Sequence, residues 1–397
     1  MRSLSIAMVA PCPFPTSQGT QVFIGGLARA LHRRGHRVHL VTYHYGDEGA
    51  HGGLNGVPLH RSRALPLGGK LTSGPSLGKP LFDLLVSAKL DQVVRTERAD
   101  LIHAHNYEGL LAALMIGRLR SVPVIFHTHN TMMDELPSYS RSPLGRKMAR
   151  WLGNLLDGQF PRRAHACIAV TPQIADDVRR RGMSRGRTST IPPAVDGDPF
   201  RSANSSRPSS RPPTALYAGN LDRYQNLDFV VRGFAKVLAR RPDSRLRIVT
   251  HAPPAVVARA AHRWGCGQGI DLIRADSFAA LSVHLRQCDV ALCPRISPYG
   301  FPVKLLNYLA AGKPVVACRS SAHGLEHLRN GWVVDDDDLD GFAEAVFKLL
   351  EDEPLRRRLS RNARRTAREA FSWERLIPRY EEVYRKALDR WSAEKNR

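Results

Sequence analysis

Cysteine is scarce in this 397-residue sequence, and the six residues present, Cys12, Cys167, Cys266, Cys288, Cys293 and Cys318, form no CxxC pair. Several sit in apolar runs such as "DVALCP" and "PVVACR". That pattern argues against a disulfide framework or a cysteine zinc site, and for a reducing compartment. Long hydrophobic runs are missing too. Nothing approaches the roughly 18 apolar residues that span a bilayer. The apolar stretch in "MRSLSIAMVAPCPFP" is too short for a signal h-region and stops at prolines, as a buried first strand would. Acidic residues are few beside basic ones: 36 Asp+Glu against 59 Lys+Arg, a formal net charge of +23. Such an excess attracts polyanions, whether nucleic acid, an anionic membrane face or phosphorylated substrates, or it is only solvated, arginine-rich surface. The basic residues are spread out rather than interleaved with aromatics, and no nucleic-acid module appears, so nucleic acid is not the expected partner. The expectation is a cytoplasmic protein, peripheral on the inner face of the membrane.

What is present is the composition of a globular protein, 43% hydrophobic and 24% charged, with length for two domains. The first half alternates strand and helix. "SIAMVAP" predicts a buried strand, a Gly-containing loop follows, and "VFIGGLARALHRRG" predicts a helix that Gly35 ends. "HRVHLVTY", "DLIHAHN", "VPVIFHTHN", "HACIAVTP" and "TSTIPPAV" read as further strands. "RSANSSRPSSRPPT" has almost nothing to bury and reads as a linker. A second series then runs through "ALYAG", "RLRIVTH", "IDLIRA", "DVALCP" and "GWVVDD". The expected class is α/β: two doubly wound, Rossmann-like parallel-sheet domains facing a central cleft. The boundaries are 1–200 for the first, 201–213 for the linker and 214–372 for the second. A basic C-terminal helix, 373–397, remains.

Ligands of such sheets bind beyond the carboxyl ends of the strands, which draws attention to "DVALCPRISPYGFPVKLLNYLAAGKPVV". Arg295 falls just past a strand end. A loop with Gly300 and Pro302 leads into a helix whose first turn carries Lys304, where a cation opposes the helix dipole by roughly 0.3–1 kcal/mol. An anion shared by Arg295, Lys304 and the helix N-terminus removes that conflict, and a diphosphate fits it. The alternative is that Lys304 reaches water along its stem.

The segment "PxKLxxYLAAGKPVVA" resembles the donor-binding segment of glycosyltransferase family 4, the retaining nucleotide-sugar transferases of GT-B fold. The resemblance covers nearly the whole chain: "HRRGHRVHLVTY", "ADLIHAHNYEGLLAAL", "VPVIFHTHN", "IAVTPQIADDVRRRG", "TIPPAVDGDPF", "LYAGNLDRYQNLDFVVRGFAKV" and "FSWERLIPRYEEVYRKAL" follow in the family's order. It implies a donor site in the second domain, acceptor binding in the first, and a closing helix that crosses back to the first. It also implies same-face attack assisted by the leaving phosphate, and no obligate metal. His129 matches the family's position beside the anomeric carbon. There are departures. The family's two glutamates, eight positions apart, are matched by Tyr299 and Asn307, and its diphosphate-gripping Arg and Lys by Asn220 and Gln225. The phosphate charge then falls to Arg295 and Lys304, with Asn307 and Gln225 left as neutral hydrogen-bonding groups. Gly300, Phe301 and Asn220 complete the expected donor set. The alternative is a non-catalytic glycosyltransferase-like subunit.

On the acceptor side the candidates are Gly19 and Thr20, in the first strand-to-helix loop, and His105, at a strand end. His127 and His105 lie near equivalent strand ends, and alternating residues on a strand share a face, but no third ligand stands out and no metal is expected. "DDDD" at 335–338 reads as solvated and helix-N-terminal. In "SPLGRKMARWLGNLLDGQFPRR", Leu144, Met148, Trp151, Leu152, Leu155 and Leu156 form a helical stripe suited to burial, with Arg146, Lys147 and Arg150 off it. This is either a core-packed helix with a basic outer face or a contact with anionic lipid. The function implied is transfer of a sugar from a nucleotide diphosphate to a hydroxyl of a glycolipid, lipid-linked or polysaccharide acceptor.

Overall fold

The computed structural model describes residues 2–16, 18–47, 53–65, 78–140, 142–197, 200, 211–275, 277–296 and 300–396. Tyr299 and most of the expected linker, 201–210, lie outside them. The chain divides into two units, one of residues 1–194, 299–301 and 373–397, the other of 195–298 and 302–372.

In the first unit, β1 (Ser5–Val9), β2 (Arg37–Thr42), β3 (Leu59–Arg61), β4 (Leu101–His105), β5 (Val124–Thr128), β6 (Ala166–Ala169) and β7 (Thr188–Thr190) build one sheet, ordered β3-β2-β1-β4-β5-β6-β7. In the second, β8 (Thr214–Ala218), β9 (Arg245–Val249), β10 (Ile270–Ile273), β11 (Val290–Cys293), β12 (Val315–Cys318) and β13 (Trp332–Val334) are ordered β10-β9-β8-β11-β12-β13. The pairings are parallel. The helices of the first unit are α1 (Gly19–Arg33), α2 (Lys79–Thr96), α3 (Asn106–Arg120), α4 (Met132–Glu135), α5 (Pro143–Gln159) and α6 (Pro172–Arg180). The second unit holds α7 (Leu227–Arg240), α8 (Pro254–Arg263), α9 (Phe278–Gln287), α10 (Val303–Ala310), α11 (Leu339–Glu351) and α12 (Glu353–Ala370), and α13 (Trp373–Lys395) belongs with the first.

β1 and β4 to β6 are buried along their whole length because helices cover both faces of a parallel sheet. The period of two sorts their residues. Ile6 and Met8 face a core with Phe23, Ile24 and Leu27 of α1 and Leu376, Tyr380 and Tyr384 of α13. Ala7 and Val9 face the other side, with Phe82 and Val86 of α2 and Leu110 and Ile116 of α3. In the second unit, Tyr217, Ile248, Leu292 and Val316 pack with Phe234 of α7 and with Phe342 and Val346 of α11. β3 has no counterpart in the sequence reading: three half-buried residues at a sheet edge carry no periodicity. Asp338 of the acidic run caps α11, accepting from the Gly341 amide at 2.8 Å, as expected of a helix-N-terminal acid.

The α5 stripe is a correction. It is not buried: Leu144 is 69% exposed, Met148 64% and Trp151 68%, with Leu152 and Leu155 also exposed. Only Leu156 packs on the core. The buried residues of the helix are Gly153 and Asp157, one turn apart. A Cβ at Gly153 would stand 2.4 Å from the Met132 carbonyl oxygen, so α4 seats its backbone where only glycine fits. Asp157 accepts from the backbone amides of Met132 (3.0 Å) and Met133 (2.9 Å) and from the Tyr107 hydroxyl, which satisfies the N-terminus of α4. Close backbone contact and capping, not apolar area, decide which face is inside. No helix among the described residues is long and apolar enough to cross a membrane.

Candidate functional site

Each sheet reverses its strand order once, between β8 and β11 in the second unit and between β1 and β4 in the first. Such switch points form ligand crevices at the carboxyl ends of the strands. In the second unit the chain leaves β8 through Gly219, whose φ of +131° and 3.3 Å from a virtual Cβ to Lys304 Nζ require glycine. A turn of 3-10 helix, Arg223–Gln225, follows. The chain leaves β11 toward Arg295, and the Ile296 amide donates to the Tyr224 carbonyl at 3.2 Å, tying the two loops together. Gly300 at φ +71° precedes α10.

α10 buries Leu305, Leu306, Tyr308 and Leu309 and leaves Lys304 and Asn307, three residues apart, half-buried on one face. Lys304 Nζ donates to the Tyr217 hydroxyl (2.9 Å) and to Gln225 Oε1 (2.6 Å), and lies 4.1 Å from the Tyr217 ring centre. Both partners are neutral. Burial, with the Arg295 charge adding to it, pulls its pKa down to about 8, against weaker support from Cys293 and Asp222. Arg295 lies 5.2 Å over the Tyr224 ring, its pKa also lowered by burial. Burial and Arg295 together take nearby His323 down to about 4. Lys304 thus sits on the face of Tyr217 and Arg295 over that of Tyr224, cation–π contacts that add attraction without supplying an opposite charge. Gln225 is buried as the partner of Lys304. The Asn220 side-chain amide donates to Asp222 (2.6 Å), and the Asn220 backbone carbonyl accepts from the Tyr217 hydroxyl (2.5 Å). The Asn307 amide makes no hydrogen bond among the described residues. Phe301 falls with the first unit, half-buried against its core.

Tyr217 and Tyr224 are the contributors that sequence reasoning passed over. The signal was there in "LYAG" and "DRYQ": a polar aromatic at a strand's end and another in the turn after it. Tyr308 is a third. Its buried hydroxyl accepts from the Ala218 amide at 2.9 Å, fixing α10 to the end of β8. Tyr308→Phe leaves that amide without its partner. It should cost about 1–2 kcal/mol, read as a lower urea midpoint at unchanged m-value.

In the first unit, His103 and His105 of β4 share a face with His127 of β5 and with His129 just beyond it, a two-by-two array of imidazoles. His105 Nδ1 is 3.1 Å from His129 Nε2, and His103 Nε2 is 3.2 Å from His127 Nδ1. Phe23 of α1 meets the His127 and His129 rings edge-on at 5.3 and 5.5 Å. Burial keeps the array neutral, His129 at about 4 and His103 at about 3, with His105 and His127 pushed well below their usual range. The sequence sets His127 with His105 and offers no third ligand; β4 supplies one in His103, on the same face as His105, which strand register places beside His127. Gly19 and Thr20 do not lie in a loop: they open α1, one turn before Phe23.

Residues 17–198 match the profile of Glycosyltransferase Family 4, and residues 212–352 that of Glycosyl transferases group 1. The sequence is 28% identical over 346 residues to D-inositol 3-phosphate glycosyltransferase 2 of Catenulispora acidiphila, covering 80% of each chain. It is 22% identical to N-acetyl-alpha-D-glucosaminyl L-malate synthase of Bacillus anthracis, over 94% of each. Among solved structures it is similar in fold to sucrose-phosphate synthase of Thermosynechococcus elongatus (TM-score 0.79, 19% identity, 97% of this chain and 99% of that one). It is similar also to Anabaena HepE in complex with UDP and glucose (TM-score 0.72, 17% identity, 96% and 99%). These relatives do not favour a non-catalytic subunit. With both halves matched in order, the chain belongs to the family 4 glycosyltransferases: it is an enzyme of that class, with two Rossmann-like domains of the GT-B kind.

Proposed function

We propose that the protein is a retaining glycosyltransferase that takes a sugar from a nucleotide diphosphate and places it on a hydroxyl of a glycolipid, lipid-linked or polysaccharide acceptor. The observation that carries the donor half is the Arg295–Lys304 pair. Two cations lose hydration at a switch point, and the partners of Lys304 are uncharged. A diphosphate supplies the opposite charge that Tyr217 and Gln225 cannot give Lys304, and offers a second negative group to Arg295. Asn307, on the face of Lys304, is placed for a sugar or ribose hydroxyl. His129 is assigned to the reacting carbon, where a neutral imidazole can hydrogen-bond the sugar or steady positive charge developing at C1. The charge of the departing diphosphate is met by Arg295 and Lys304, so the reading calls on no obligate metal.

The direct test is a calorimetric and thermal-shift screen against UDP, GDP, ADP, CMP and their sugar conjugates. UDP comes first because HepE is described with UDP and glucose. One preferred nucleotide, lost in Arg295→Ala, supports the donor site; silence from folded protein overturns it.

The acceptor half rests on α5. Its outward stripe of Leu144, Met148 and Trp151, beside exposed Arg146, Lys147 and Arg150, has the make-up of an interfacial helix. The apolar side enters the acyl boundary, and each basic residue adds about 1 kcal/mol at an anionic surface. Sedimentation with anionic vesicles at low salt should therefore be strong and weaken as salt rises. Trp151→Glu should weaken it about tenfold or more while leaving nucleotide binding at wild-type strength. No binding to such vesicles removes the membrane from the proposal without touching the donor site.

A further inference from the structure

Buried polar atoms in folded proteins nearly always find a partner. In the first unit His105 Nε2, His127 Nε2 and the Tyr380 hydroxyl do not, and their rings belong to one cluster. The Tyr380 ring centre is 5.7 Å from that of His127 and 6.3 Å from that of His103. His103, His105 and His127 are fully buried, and each offers a ring nitrogen such that the three lie within 4.8 Å of one another. Phe23 closes the site from α1.

We propose that His103, His105 and His127 form a binding site for one divalent late transition-metal ion of the zinc type, separate from the donor groups Arg295 and Lys304. Three features support it. The ligand set is chemically apt, since neutral imidazole suits Zn²⁺ and its neighbours, whereas Mg²⁺ and Ca²⁺ require oxygen. All three rings are fully buried, and His105 and His127 each hold a ring nitrogen without a hydrogen-bond partner. The spacing is close to what an ion needs: bonds of 2.0–2.1 Å to a tetrahedral ion put nitrogens about 3.3 Å apart, within reach of small ring rotations from the present separation.

The surroundings supply the outer support typical of such sites. Tyr384 of α13 holds its hydroxyl 2.6 Å from His103 Nδ1. In the metal-bound form His103 carries its proton on Nδ1 and donates it to Tyr384 Oη, turning the Nε2 lone pair toward the ion. An outer partner of this kind fixes both tautomer and ring orientation. A fourth position remains for water or for His129, which His105 already contacts. The ion would thus fasten β4 to β5 directly behind the residue assigned to the reacting carbon.

The test uses the full chain, stripped with a chelator and titrated with Co²⁺ and Zn²⁺. The expected result is one equivalent bound, visible d–d bands for the Co²⁺ form, and a raised melting temperature. His103→Gln and His127→Gln should each weaken binding more than about 100-fold, and Tyr384→Phe about 10- to 100-fold. Absence of stoichiometric uptake overturns the proposal and leaves ordered water as the partner of the orphaned atoms. So does uptake that survives both glutamine variants, which would place the ion on other histidines of the chain. Should those variants not fold, X-ray absorption of the wild-type zinc form decides. Three imidazole nitrogens near 2.0–2.1 Å support the site, and fewer overturn it.

Discussion

Lys304→Ala is expected to weaken binding of a nucleotide-diphosphate sugar about 100-fold, because a charge-assisted bond to phosphate contributes roughly 1.5–3 kcal/mol. Calorimetry with the preferred nucleotide sugar measures it, and unchanged affinity would remove Lys304 from the site. The same residue sets a pH dependence. In the free protein burial holds its pKa at about 8; a bound diphosphate favours the charged amine and raises that value. Affinity should therefore be full below pH 8. Above it, binding must first take up a proton, so affinity falls by up to about tenfold per pH unit until the pKa of the complex is passed. In Lys304→Ala that slope should vanish, which separates the titration of this amine from that of any other group.

His129→Ala is expected to lower kcat about 100- to 1,000-fold, in the range found when one group that stabilises transition-state charge is removed. Donor affinity should stay within about twofold, since the donor's phosphates and ribose are assigned elsewhere. Equal losses in kcat and donor binding would reduce His129 to a packing residue of the imidazole array. The split matters because His129 bonds His105 and meets Phe23, so a structural role has its own geometry to rest on.

How far the sequence could be read depended on the range of the interactions. Strand-helix alternation reports burial by both faces of a sheet, and it located nearly every strand, apart from β3. Arg295, Lys304 and Asn307 were legible because loop, strand end and helix start are consecutive in the chain. Tyr217 and Gln225 were not legible as the holders of Lys304, since 87 and 79 positions separate them. The imidazole array was partly visible, as His105, His127 and His129 near strand ends, and His103 joined it only through the strand register. α5 misled because periodicity reports that a stripe exists, not which way it faces. The answer lay in Gly153 and Asp157, whose partners on α4 are more than 20 residues away.

α13 has a bearing on how this chain comes into being. Trp373, Leu376, Ile377, Tyr380, Val383, Tyr384 and Ala387 line one of the two cores of the first unit, against α1 and β1. While the polypeptide is being synthesised from its N-terminus, that core stays open until residues 373–395 have been made and α13 has cleared the ribosome. The second unit needs no such late arrival and can fold earlier. Nascent chains should therefore leave Phe23 and Ile24 available to chaperones until α13 emerges, and a stop codon before residue 373 should yield a folded second unit attached to an unfinished first.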